Sequence, residues 1–387
     1  MGNRSHGGLQ AARVAARFRT SLAAGVFLFA VVAALAPAVS AQLAVLRDPR
    51  IVLPAFVVRC DTTPDTAARA SRPSYCVNVE GEGIADPGAD PTVPALEAEP
   101  ELRWEAFDEY WRKIHGPKII HQEGSADVVT QLLLRYEQQH RIPGGPTSAK
   151  APPYAPQVGA DGLLIPDPHA NVAGYSRPSF DGLAQLAYAT RADLDAFFGL
   201  APGDKYLEKI IPDERVFLKG FAFNLSREFI IIPDEGTRDP IIFIKTHERA
   251  PGLSRGEFLG LWLNSHAQLV VGNPDAARYV KRYAQLHNVS VPEDAPFFDP
   301  VGDQFDGITV MSFANVTELE AFLASDGYAA IAADEAVFTG RSEFFTAVDY
   351  IIRIDAAPEQ ATVEIRDLDC NDDGAINGLD LFGIGCS

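Results

Sequence analysis

Apolar positions in this chain follow two rhythms, and the succession of rhythms runs twice. Apolar residues three and four apart predict helices. Short runs rich in Val, Ile and Phe, bounded by Pro, Gly or Asp, predict strands. The first marked helix runs roughly from Arg103 to Ile120. Strand character follows over Val128–Tyr136, Phe180–Ala189 and Phe221–Ile232, with a helix starting over Arg191–Phe198. The pattern then restarts. Pro240–Thr246 predicts a strand, and Ser254 with Glu257 forms the capping box of a second helix through His266. Ala277–Tyr283 and Ile308–Phe313 predict strands, Thr317–Ala324 a helix and Val348–Ile354 the last strand. Outside this scheme, Ile51–Val58 is an apolar, β-rich run broken by Pro54. Residues 81–101 read as an irregular linker, and the Pro- and Gly-rich residues 143–178 as a long loop or insertion.

Residue identities repeat along with the rhythm. Phe107, Tyr110, Trp111 and His115 correspond to Phe258, Leu261, Trp262 and His266. On a helix, Phe, Trp and His at successive fourth positions form one stripe. Arg135-Tyr136 and His140 match Arg282-Tyr283 and His287, and Phe180-Asp181-Gly182 matches Phe305-Asp306-Gly307. Asp193-Leu194-Asp195-Ala196-Phe197 matches Glu318-Leu319-Glu320-Ala321-Phe322. Asp213-Glu214 with Val216-Phe217 matches Asp334-Glu335 with Val337-Phe338. Five collinear matches establish a duplication. Each copy reads β-α-β-loop-β-α-β. The expected class is α+β: two ferredoxin-like βαββαβ domains, at 103–232 and 240–355, packed sheet to sheet so that each covers the other's apolar face.

Pro251-Gly252-Leu253-Ser254-Arg255, leading into Glu257, Phe258, Trp262 and His266, resembles the N-terminal signature of the EthD domain family. Phe107, Trp111 and the run His115-Gly116-Pro117 resemble it in the same order, and the later Arg-Tyr pairs fit. The resemblance implies a dimeric α/β barrel, here fused into a monomeric pseudo-dimer within one chain. It also implies ether-degradation or aromatic tailoring settings, and hence a small hydrophobic molecule as partner. Relatives in the wider fold include monooxygenases, dehydratases and decarboxylases. Two departures stand out. The second copy has His266-Ala267-Gln268 in place of His-Gly-Pro, and the first copy's opening strand is displaced by the linker.

Composition and charge change the picture at the ends. The 387 residues are 47% hydrophobic, enough for two cores. Arg13, Arg17 and Arg19 precede an apolar run from Leu22 to Ala36 and a small-residue cleavage site at Val39-Ser40-Ala41. Residues 1–41 therefore read as a signal peptide, with a secreted or periplasmic product starting at Gln42. The run is about 15 residues, short of the roughly 20 a spanning helix needs, so no membrane span is expected after cleavage. The net charge of -19 includes four leader arginines, so the mature chain is more acidic still. That argues against nucleic acid or anionic lipid as partner.

Export makes the cysteines readable. Local pairing, Cys60 with Cys76 and Cys370 with Cys386, is the simplest of three connectivities. Residues 42–102 then hold an N-terminal strand, a disulfide loop and the linker. In the tail, 367–387, Asp369, Asn371, Asp373, Gly374, Ala375, Asn377 and Asp380 fall at places 1, 3, 5, 6, 7, 9 and 12 of an EF-hand-type calcium loop. The loop is similar to a single dockerin repeat. That implies bound calcium and, with less support, a cohesin-type partner, since dockerins use two repeats. A solvated acidic turn is the plain alternative.

No nucleotide cofactor is expected: the chain has no phosphate loop or dinucleotide fingerprint, and no Ser-His-Asp elbow or paired-histidine zinc motif. Haem or a catalytic metal is left open. Of eight histidines, His115, His140, His266 and His287 fall at matched positions. Imidazole moves protons near neutral pH. The functional reading makes these four acid–base groups facing a pocket between helix and sheet, lined by Trp111, Trp262, Tyr136 and Tyr283. The plain reading makes them core and backbone-bonding residues, because duplication copies structural residues as faithfully as catalytic ones. Asp181 and Asp306 read as turn formers, and His121 and His247 as surface. Two functions follow. One is an exported enzyme of oxidoreductase or lyase type using histidine on a small apolar or aromatic compound. The other is a non-enzymatic binding or surface-associated protein. A pocket at His115 or His266 with converging polar groups favours the first, and a filled helix–sheet interface the second.

Overall fold

Alternation along the strand Arg50–Arg59 separates two environments. Leu53, Ala55 and Val57 join the core beneath the first set of helices, whereas Phe56 and Val58 join a core drawn from both halves of the chain. In this computed structural model the described residues are 44–59, 107–120, 131–142, 145–148, 180–199, 206–234, 240–354 and 358–364. The signal segment, all four cysteines, most of 143–178 and the calcium-loop tail lie outside them.

The strands are β1 (Ala44–Val45), β2 (Arg50–Arg59), β3 (Leu133–Arg141), β4 (Gly182–Tyr188), β5 (Leu218–Phe223), β6 (Ser226–Ile232), β7 (Ile241–Arg249), β8 (Arg282–Asn288), β9 (Gly307–Phe313), β10 (Thr339–Arg353) and β11 (Val363–Glu364). Pairing runs β2, β4, β3, β10, β7, β9, β8, β6 and back to β2, antiparallel at every step. Eight strands thus close into an antiparallel barrel, which removes the edges an open sheet would expose. The halves join through β3–β10 and β6–β8. β5 adds beside β6 on β2, and β1 pairs with β11 in a separate ribbon.

Helices cover the outside in a mixed α/β arrangement. They are α1 (residues 107–120), α2 (Arg191–Phe198), α3 (Tyr206–Phe217), α4 (residues 255–271), α5 (Pro274–Tyr279), α6 (Val316–Leu323) and α7 (Asp326–Phe338). The capping box at Ser254 and Glu257 forms as expected, with Ser254 Oγ accepting from Glu257 N at 3.2 Å.

Three local readings need correction. Pro54 does not break its run. Its carbonyl faces the point where β2's partner changes from β6 to β5, accepting from Asn224 N at 2.9 Å, so the missing N–H costs no ladder bond. Ala277–Tyr283 is not a strand. Asn273 caps α5 with Pro274 in its first turn, and β8 starts only at Arg282. Finally, Phe221–Ile232 spans two strands, and β10 begins nine residues before Val348.

Inside the barrel, the two Arg of the Arg-Tyr repeats meet on one carboxylate. Arg135 donates to Glu228 from Nη1 and Nη2 at 3.1 and 2.7 Å, and Arg282 Nη2 donates to it at 2.9 Å. Glu359 receives Arg282 Nε at 2.9 Å. Burial alone would push the Glu228 carboxyl up, but the two guanidinium charges pull it down to about 2.

Candidate active site in the first half

The Trp–His segments of α1 and α4 are π-helical turns, Trp111–His115 and Trp262–His266, where an α-helix was expected. Strand glutamines share the carbonyls involved. Trp111 O accepts from Gly116 N, five residues on, and from Gln138 Nε2 at 3.0 Å. Trp262 O accepts from Ala267 N and from Gln285 Nε2 at 3.0 Å. A widened turn frees the carbonyl to serve both donors.

Each indole packs flat on the next matched residue. Trp111 stacks on His140 at 4.1 Å and 12°, and Trp262 on His287 at 4.9 Å and 15°. The glycine of each Phe-Asp-Gly makes room for it. A Cβ on Gly182 would lie 2.7 Å from Trp111 Cζ3, and one on Gly307 2.2 Å from Trp262 Cζ3. The aspartates lock the end of each half's first strand. Asp181 accepts from Arg59 N at 3.0 Å, and Asp306 from Arg249 N at 2.7 Å.

Between α1, α3 and the outer face of the first-half barrel lies a cavity of about 360 Å³. Its walls are mainly apolar, including Leu53, Ala55, Val57, Phe197 and Phe221, and its polar side chains are His115, Tyr136 and Glu214. His115 Nδ1 lies 2.7 Å from Asp213 Oδ2. Tyr110 Oη donates to Asp213 Oδ1 at 2.6 Å, and Lys118 Nζ donates to the same oxygen. Burial pushes the Asp213 carboxyl up, but His115, Lys118 and Tyr110 outweigh it and hold it below the usual carboxylate range. An ionised Asp213 favours the Nδ1–H tautomer of His115 and leaves Nε2 as the basic nitrogen. Tyr136 Oη accepts from Gln138 Nε2 at 2.8 Å, and burial raises its pKa, so the phenol stays neutral with its own hydrogen available.

The second half has the same frame and a different filling. Strand register places Lys245 where the first half has Ala55, His247 at Val57 and Thr309 at Ala184. Lys245 Nζ pairs with Glu335, and His247 Nε2 lies 2.9 Å from Thr309 Oγ1. His266 Nδ1 lies 2.7 Å from Asp334 Oδ2 with Nε2 3.6 Å from Glu335. His247, expected at the surface, is fully buried. Desolvation pulls it down to about 3, only partly offset by Glu335. Polar side chains therefore stand at positions whose first-half counterparts, Ala55, Val57 and Ala184, line the cavity.

The four matched histidines separate into two kinds. His115 and His266 each bond an aspartate from the last helix of their half. His140 and His287 lie behind the tryptophans, bonded to Gln138 at 3.3 Å and Gln285 at 2.9 Å, and His140 Nδ1 also lies 2.7 Å from Asp108 Oδ1 on α1. Burial lowers both, His287 to about 3. Tyr283 repeats Tyr136, accepting from Gln285 Nε2 at 2.7 Å. Among the described residues no group of three or more His, Cys, Asp or Glu is arranged to hold a metal.

The EthD domain model matches residues 99–220 and 250–342, more than half of the chain. The chain belongs to the EthD domain family. The two matched EthD segments carry both Trp–His turns and both aspartates that hold their histidines. No curated protein matches in sequence. Among solved structures, the chain is similar to an anthrone oxidase-like protein at 10% identity and a TM-score of 0.42, over 82% of this chain and 100% of that one. It is also similar to a chlorite dismutase mutant from Candidatus Nitrospira defluvii, at 10% identity and 0.37, over 80% and 94%.

Sequence reasoning missed Asp213, Asp334, Gln138 and Gln285 as site residues. The signal was present. Asp213 and Asp334 open the matched Asp-Glu-x-Val-Phe runs, and the second repeat extends to Arg-Tyr-x-Gln-x-His in both EthD copies.

Proposed function

We propose that this EthD protein is a proton-transfer enzyme acting on a small apolar or aromatic compound, with its working site in the first-half cavity. The observation that carries this reading is His115, bonded to Asp213, on the wall of a mainly apolar cavity. A cavity of about 360 Å³ lies within the range of small-molecule sites. His115 Nε2 takes a proton from the bound compound, and Asp213 offsets the imidazolium charge that forms. The electron pair left behind spreads into the conjugated ring, where the Tyr136 hydroxyl donates a hydrogen bond to the developing anion. A lyase outcome follows when that pair expels a leaving group. An oxidation would begin with the same deprotonation and pass the electron pair to an external two-electron acceptor.

The frame we infer is a tandem of two ferredoxin-like units in a single-chain pseudo-dimer, supported by the repeat and by matching strand neighbours in the two halves. Export and a calcium-bound tail at Asp369, Asn371, Asp373, Ala375, Asn377 and Asp380 complete the reading, supported by the leader pattern and the loop spacing.

The test is native mass spectrometry of the secreted protein with metal analysis, followed by turnover assays on any compound it carries. Calcium and a small aromatic compound, consumed by the native enzyme and not by His115→Gln, are the expected results. Binding with equal turnover in His115→Gln would remove the catalytic reading. Binding without turnover in either would make the protein a carrier.

A further inference from the structure

The first-half cavity is closed by residues from the other half. Pro296, Phe297 and Phe298 lie in the connection between β8 and β9, yet they line the cavity beside α2 and the end of β5. That connection is pressed onto the first half. Asn224 Nδ2 donates to Gly302 O at 2.7 Å and to Phe305 O at 2.9 Å. A Cβ on Gly302 would lie 1.6 Å from Phe223 O.

Phe297 is the unusual member. Its φ of 71° is left-handed, where a bulky side chain is disfavoured. Ser290, at 58°, is the other non-glycine residue of this kind among the described residues, and it lies in the same connection. Fit against the first half holds Phe297 in place. Its ring stacks edge-on against Phe198 at 5.1 Å and 70°, and the Arg191 guanidinium sits 5.6 Å from its centroid. Both partners belong to α2, whose Phe198 also lines the cavity. A strained aromatic held by ring contacts in a cavity lining is a wall whose position the surrounding fold specifies.

We infer that Phe297 is the specificity-determining wall of the cavity, setting the largest ring system the site admits. The inference rests on the functional reading above, because it assumes that the cavity takes a flat aromatic ligand. The second half thus contributes a wall to its partner's cavity, while Lys245 and His247 stand at its own matching positions.

The experiment uses the purified protein with N-phenyl-1-naphthylamine as fluorescent probe, displaced by 1-naphthol, 1-hydroxyanthracene or 1-hydroxypyrene. The native protein should favour 1-naphthol over 1-hydroxypyrene by tenfold or more. Phe297→Gly, which relaxes the backbone and removes the ring, should cut that preference at least tenfold. Phe297→Leu, which keeps an apolar side chain in the wall, should fall between. Ser290→Gly, which relaxes the same connection away from the cavity, should stay within twofold of the native ratio. An unchanged ratio in both Phe297 variants overturns the inference. An equal shift in Ser290→Gly overturns it too, because loop mobility would then explain the effect. Ala184→Trp fills the cavity. If it leaves probe binding untouched, the cavity reading fails, and this inference with it.

Discussion

Asp213 Oδ2 lies 2.7 Å from His115 Nδ1, although 98 positions separate the two residues in the chain. Asp334 and His266 repeat the contact at 2.7 Å in the second half. The duplication therefore copied an aspartate–histidine pair, and the first copy stands on the wall of a mainly apolar cavity. Where Ala55, Val57 and Ala184 leave room, Lys245, His247 and Thr309 take it up.

The first prediction follows from that asymmetry. Asp213→Asn removes the charge that selects the His115 tautomer and offsets the imidazolium. Turnover should fall by about 10²–10⁴-fold with ligand affinity little changed. Asp334→Asn should leave turnover at the native level. Steady-state kinetics of both variants, with circular dichroism to confirm folding, checks this. Equal losses in both would place the chemistry in both halves.

The glycines behind the tryptophans make a second prediction. Gly307→Ala would put a Cβ 2.2 Å from Trp262 Cζ3, against a ring with no exposed surface. Destabilisation of about 1–3 kcal/mol or more should follow in urea melts. Gly256→Ala, in α4 with nothing within 4 Å of the new atom, should stabilise by about 0.5–1 kcal/mol. A neutral Gly307→Ala would mean that Trp262 can shift.

Glu228 supplies a third. It is the shared acceptor of Arg135 and Arg282, drawn from the two halves. Glu228→Gln should cost about 3 kcal/mol, because two buried guanidinium groups lose the carboxylate they share, while Arg135 keeps Glu137 and Arg282 keeps Glu359. The carboxyl is held at about 2 in the folded chain against 4.5 ordinarily, so its contribution is complete above about 4.5. That contribution is lost as pH falls toward 2. Denaturant melts of both proteins at pH 7 and pH 3 should converge at the lower pH.

His287 works in an earlier acid window. Burial holds it at about 3, against 6.5 ordinarily. Below 6.5 the unfolded chain gains a proton that the folded chain refuses, so stability falls as pH drops from about 6.5 to 3. His287→Phe keeps a ring against Trp262 and removes the titration. Between pH 7 and pH 4.5 the native protein should lose about 2 kcal/mol more than the variant. Identical losses would mean that His287 is protonated in the folded state.

Much of the frame was legible because duplication prints it twice. Trp111 with Trp262 and Gly182 with Gly307 recur because neither indole fits without its glycine. The capping box at Ser254 needs only local sequence, and it formed. The site was harder to see. The aspartate that orients His115 comes from α3, and nothing local in either sequence segment announces their contact. The π-helical turns escaped because the glutamine that shares the Trp carbonyl sits on another element. The difference in lining between the halves rests on Ala55 against Lys245 and Val57 against His247. Those pairs align only once strand register is known. His247 was misread as surface for the same reason.

His115 presents an unprotonated Nε2 to a ligand-accepting cavity in the proposed mechanism, and nitrogen-15 NMR of histidine-labelled protein, with and without N-phenyl-1-naphthylamine, reads that nitrogen. Neutral His115 should carry its proton on Nδ1, and its Nε2 resonance should move on adding the probe while those of His266 and His287 stay fixed. A proton on Nε2 of His115, or a probe response confined to His266, would contradict that mechanism.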